Sequence, residues 1–81
     1  MERDKLEAIA TEIFGEQKGK SWTKGNVRLK IKEHVWRVDV KVEKTHPYQV
    51  DWSRVAGFPI DKTEEDTFRE FVGKTIEANK G

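Results

Sequence analysis

Between Val27 and Ser53 the apolar residues recur at every second position, whereas on both sides of that stretch they recur with a period near 3.6. Val27, Leu29 and Ile31 alternate with Arg28, Lys30 and Lys32. Trp36, Val38, Val40 and Val42 alternate with Arg37, Asp39, Lys41 and Glu43, and Tyr48, Val50 and Trp52 alternate with Gln49, Asp51 and Ser53. Successive side chains of a strand point to opposite faces, so each run predicts a strand with one apolar and one polar face. Before it, Leu6, Ile9, Ala10, Ile13 and Phe14 mark one helical face, with Gly15 placed to cap it. After it, Phe68, Phe71, Val72 and Ile76 mark another, preceded by Asp61 and Glu64 at the spacing of a capping box. Adding a short first strand at 21–24, the expectation is an α+β fold. It is a two-layer sandwich of helix, four-stranded antiparallel meander and helix, with both helices on one face of the sheet.

The alternation also constrains the register, because a slip of one residue exchanges the two faces of a strand. The apolar residues change from odd to even numbers near Glu33 and His34, so the second and third strands match only if paired numbers sum to an odd value. A two-residue turn at Glu33-His34 gives Ile31 opposite Trp36 and Leu29 opposite Val38; a four-residue loop preserves the same parity. For the last pair the sum must be even, as with Val42 opposite Tyr48, Val40 opposite Val50 and Val38 opposite Trp52. The loop then falls at 44–46, and Pro47 suits an edge strand because it has no N–H to donate. Val55, Phe58 and Ile60 are expected to close the core from the connection that follows.

A chain of 81 residues is expected to form one compact domain over 1–81, small enough that each apolar residue has a strong claim to the core. There is no cysteine, which excludes a disulfide framework and a thiol nucleophile and suits a reducing compartment. No apolar run approaches the length of a membrane span or signal-peptide core, so a cytoplasmic location without membrane contact is expected. Charged residues make up 38% of the chain and sum to only +1, so any electrostatic function must come from segregated charge. Residues 18–32 hold six cationic side chains and no acidic one, while residues 61–70 hold five acids against two bases. The acidic stretch is explained by the start of the second helix, where carboxylates meet the positive end of the dipole.

The basic stretch points to a nucleic-acid-binding domain that contacts the phosphate backbone through the polar sheet face, largely without sequence preference. The candidate contacts are Arg28, Lys30, Lys32, Arg37 and Lys41, with Lys18, Lys20 and Lys24 on the adjoining hairpin. In the two-residue-turn register Lys30 lies opposite Arg37, a like-charge pair that an anion would relieve. Trp22 depends on one residue of turn length. A two-residue Gly25-Asn26 turn sets it opposite Leu29 in the core; a three-residue turn sets it opposite Arg28, where it could stack on a base. Gly-Asn favours the shorter turn.

The other chemistries are weakly represented. His34 and His46 lie at opposite ends of a strand, roughly 25 Å apart, too far to act as an acid-base pair. Asp39 and Asp51 would be neighbours in the expected register, but nothing joins them to complete a metal or catalytic site. No phosphate-cradling glycine loop is present. The expectation is therefore a DNA or RNA partner with no enzyme activity, cofactor or metal. The competing class is a protein-interaction or assembly module using the edge strands, the acidic helix or the region around Phe58. The element order is similar to that of double-stranded-RNA-binding domains, but their glycine-rich loop and basic start of the last helix are missing, the helix beginning DKTEED.

Overall fold

The computed structural model describes residues 1–46 and 49–79. It is an α+β fold with two helices and a five-stranded antiparallel sheet. The chain runs through α1 (Arg3–Phe14), β1 (Gln17–Lys18), β2 (Ser21–Lys24), β3 (Val27–Lys32), β4 (Arg37–His46), β5 (Gln49–Pro59) and α2 (Glu65–Ala78), and the strands lie side by side in that order. The sheet thus has one strand more than the alternation predicts. The additional strand, β1, is a two-residue piece too short to show any period.

One buried cluster unites the elements. Leu6, Ile9, Ala10 and Phe14 of α1 and Phe68 and Val72 of α2 meet Trp22, Val27, Leu29, Ile31, Val38, Val40 and Val42 from the sheet, with Ile60 beside them. Both helices also bridge to each other through Arg69 to Glu12 (2.8 Å) and Lys5 to Glu65 (3.5 Å). α1 ends where Gly15 adopts φ 90° and returns its N–H to the Thr11 carbonyl. A conformation of that sign costs glycine nothing. α2 begins later than its sequence signal suggests. Asp61 falls inside a 3-10 turn, Ile60–Lys62, so the capping box is not formed, and the Thr63 hydroxyl donates instead to the Pro59 carbonyl. Among the described residues no helix is long and apolar enough to cross a membrane.

The β2–β3 turn is the two-residue form, with Lys24 opposite Val27 and Trp22 opposite Leu29. Trp22 is completely buried and its indole N–H reaches the Thr11 hydroxyl on α1 at 3.2 Å. Between β3 and β4 the odd parity holds, but in its four-residue form. Ile31 pairs with Val38, Leu29 with Val40 and Val27 with Val42. The pairs expected from a two-residue turn, Ile31 with Trp36 among them, are not made. The cause is local: Glu33–Val35 forms a 3-10 turn and Trp36 follows at φ 49°, outside the strand and 42% exposed.

The largest departure is β5. It extends to Pro59, so Val55 and Phe58 belong to a strand rather than a connection, and it pairs with β4 in two registers. Val40 faces Ala56 and Val38 faces Phe58, but Lys41 faces Arg54 and Glu43 faces Trp52, with Val55 left over between them. This is a β-bulge: one additional residue in one strand reverses which face the following side chains take. Val38 therefore lies opposite Phe58 and not Trp52, and Val40 opposite Ala56 and not Val50. β4 continues through His46, where a loop is expected, and Tyr48 and Pro47 lie outside the described residues. Phe58 is half-buried and packs edge-on against Phe68 and Phe71, with centroids 5.8 and 5.1 Å away.

Trp22 and Trp36 should respond in opposite ways to truncation. Trp22→Ala leaves a large cavity and should cost about 3–5 kcal/mol in urea unfolding, whereas Trp36→Ala should stay within about 0.5 kcal/mol.

Candidate nucleic-acid interface

The sheet face opposite the helices can be read row by row from the pairing. One row runs Thr23, Arg28, Lys41, Arg54 across β2 to β5; the next runs Lys18, Ser21, Lys30, Asp39, Gly57 across all five strands; a third pairs Lys32 with Arg37. At the other end Glu43 faces Trp52. Seven cations therefore share this face with two acids, Asp39 and Glu43.

Asp39 lies opposite Lys30 and Gly57, so the like-charge pair expected between Lys30 and Arg37 is not formed, and Asp39 is nowhere near Asp51, which faces Lys44. The paired-carboxylate site is thereby excluded. Asp39 is instead 2% exposed beneath arginine side chains. Arg37 donates to it from Nε at 2.7 Å and from Nη2 at 3.5 Å, and Arg54 Nη1 lies 3.9 Å away. Arg28 makes no ion pair with it. Gly57 makes room for this arrangement, because a Cβ there would stand 2.8 Å from Arg37 Cδ and 3.2 Å from Asp39 Oδ1.

Like charges do meet elsewhere. Arg28 faces Lys41, Lys41 faces Arg54, and Lys32 faces Arg37. Among the described residues none of Arg28, Lys30, Lys32 and Lys41 makes an ion pair. Burial holds the Lys41 ammonium pKa below its ordinary value, helped by the positive charges of Lys32, Lys30 and Arg28 and opposed by Asp39. Arg28 is fixed by an Nε bond to the Thr23 hydroxyl (3.1 Å), and its guanidinium lies over the Trp52 ring, 4.0 Å from the centroid.

Of the candidates read from the sequence, Arg28, Lys30, Lys32, Arg37 and Lys41 share this face. Lys20 does not: it sits in the β1–β2 turn with its ammonium 2.7 Å from Glu33. Lys20 and Arg3 together hold the Glu33 carboxyl below its usual range. Lys24 reaches back toward the Ile13 carbonyl at the end of α1. Trp22 is in the core and out of reach of any base. The aromatic on the cationic face is Trp52, half-buried, with Arg54 as its neighbour along the strand; the plain alternation does not reveal either residue. Their signal is Arg54 itself, an arginine at an even position among Trp52, Ala56, Phe58 and Ile60, which an unbroken strand would send into the core.

No family model, no curated protein and no solved structure matches the chain. The functional case therefore rests on this face. Among the described residues no group of three or more histidine, cysteine, aspartate or glutamate side chains could hold a metal ion.

Two consequences for stability follow. Lys41→Glu turns the pairs with Arg28 and Arg54 into favourable ones and gains a smaller repulsion from Asp39 and Glu43 two residues away on the same face, so it should raise stability by at most about 1 kcal/mol, or roughly 4–8 °C in melting temperature. The pH dependence has a definite sign. Below its depressed folded-state pKa, Lys41 is charged in both states and the folding penalty is complete. As pH rises through that value toward 10.5 the folded state loses its proton first, the unfolded state binds more protons, and the wild type should gain stability relative to Lys41→Met in parallel melts. Separately, Gly57→Ala should push Arg37 away from Asp39 and weaken the partnering of a buried carboxylate, costing about 1–3 kcal/mol in chemical denaturation.

Proposed function

We propose that the chain is a small nucleic-acid-binding domain whose ligand lies across the sheet face opposite the helices, held by its phosphates. The observation that carries this reading is the row Arg28, Lys41, Arg54, in which three cations stand side by side on three adjacent strands. Like charges directly opposite each other destabilise a sheet, and a polyanion laid along the row removes the repulsion while releasing its own counterions. The Lys41 pKa is depressed first by burial and then by its cationic neighbours, and an adjacent phosphate would favour the charged ammonium. Phosphate contacts of this kind position a ligand without reading its sequence.

The decisive test sets binding against stability. Lys41→Glu, expected to melt higher than the wild type, should bind a generic oligonucleotide at least tenfold more weakly, and Lys30→Glu combined with it should abolish binding in fluorescence anisotropy at low salt. Loss of binding in a more stable protein cannot be attributed to misfolding. Affinity should also fall linearly on a double-logarithmic plot against salt, with a slope of roughly 3.5–4.5 if about five phosphates are neutralised. No detectable binding of any DNA or RNA at low salt defeats the proposal.

A second reading, a protein-assembly module, is favoured by one observation. β5 is an edge strand and Val55, at its bulge, is 49% exposed beside a groove lined by Val42, Phe71 and Thr75. The packing of Phe58 against Phe68 and Phe71 removes the other motive for it. Concentration-dependent light scattering that reports self-association without nucleic acid would support this reading over the first.

A further inference from the structure

We infer that the nucleic acid bound by this face is single-stranded, and that a base docks on the stack formed by Trp52 and Arg28. The inference rests on the nucleic-acid reading above and specifies its ligand. It is carried by the placement of Trp52, which the bulge at Val55 turns away from the core and onto the cationic face. In a duplex the faces of the bases are covered by their neighbours, so an indole on an open sheet can meet one only after the bases are unstacked. In a single strand the base faces are free, and aromatic rings and arginine planes bind them with little regard to sequence.

The surroundings of Trp52 fit that role. Its ring is only partly covered. Arg28 Cζ lies 4.0 Å from its ring centroid and Nε donates to the Thr23 hydroxyl, so the guanidinium is already held over the ring and extends the stacking surface. Lys41 and Arg54 continue from Arg28 across β4 and β5, a path of about two strand spacings or roughly 10 Å along which a backbone could run while its base turns onto the stack. Arg37 is committed to Asp39, which leaves Lys30 and Lys32 to extend the cationic path along β3. Glu43 lies directly opposite Trp52 in the register.

The test compares short oligouridylate, oligothymidylate and a duplex of similar length as labelled probes at low salt. For the parent protein both single strands should bind more tightly than the duplex and quench the intrinsic indole emission. Trp52→Ala should lose tenfold or more in affinity for the single strands and little for the duplex, and Trp52→Phe, which retains a stacking surface, should recover most of the loss. A preference for one single strand over the other, which differ both in the sugar and in the C5 methyl, is compatible with the inference. Trp52→Ala and Trp52→Phe binding single strands as well as the parent, while Lys41→Glu still abolishes binding, overturns the inference and leaves the phosphate reading standing. Tighter binding of the duplex by the parent overturns it as well. No binding by any probe removes both.

Discussion

A strand that has to serve the core at one end and solvent at the other cannot keep a single alternation, and β5 resolves this with one additional residue. Ala56 and Phe58 point toward the helices, where Phe58 meets Phe68 and Phe71. Without the bulge at Val55 the same parity would carry Arg54 and Trp52 inward with them. An arginine there would lose its hydration with no carboxylate to receive it, at a cost of several kcal/mol. The bulge returns Arg54 to the surface within reach of Asp39 and lays Trp52 under Arg28. Both the closed core and the cationic face depend on that single unpaired residue. Bulges are common at sheet edges, and they re-aim side chains there.

The same face separates its cations into two kinds. Arg37 and Arg54 gather over Asp39, and the carboxylate is buried because they cover it. Gly57 is the residue across the ladder that leaves Arg37 room to lie down. Asp39 neutralises Arg37, its hydrogen-bonded partner, and the cluster keeps one net positive charge, because Arg54 approaches only to 3.9 Å and makes no hydrogen bond to it. Arg28, Lys30, Lys32 and Lys41 have no such arrangement, and the pKa of Lys41 at their centre is depressed by burial and by its cationic neighbours. Neutralised and uncompensated charge thus sit on adjoining strands.

Much of this could be read from the residues alone, and the exceptions have physical causes. The two helices, the odd parity between β3 and β4 and the Gly25-Asn26 turn follow from periodicity and turn chemistry, which act over a few residues. The burial of Trp22 then follows from the turn. The alternation fixed parity without fixing length, so the four-residue connection through Glu33–Val35 and Trp36 was open, and each pair moved along by two. β1 is too short to show a pattern. The bulge was the costliest omission, because Trp52, Ala56 and Phe58 are all even and apolar, and only Arg54 interrupts them. Arg54, taken as a constraint on the strand, places Trp52 on the cationic face and leaves Trp22 in the core, where the Gly25-Asn26 turn sets it.

Cations on a sheet surface often have a plain explanation, since lysine and arginine at an edge discourage pairing with another chain. That explanation covers Arg54 on β5 and Lys18 on β1, which are the edge strands. It does not extend to Arg28, Lys30 or Lys41, which are paired on both sides and have no free ladder to protect, whereas Lys32 lies past the end of the β2 pairing. Nor does solubility require them in one place, since a chain of net charge +1 could disperse the same residues among its acids. Concentrating them on the interior strands raises local repulsion, which adds to burial in lowering the Lys41 pKa, and neither effect strengthens the fold. A surface arranged against its own stability in this way is the arrangement expected of a binding site, where the missing negative charge comes from the ligand.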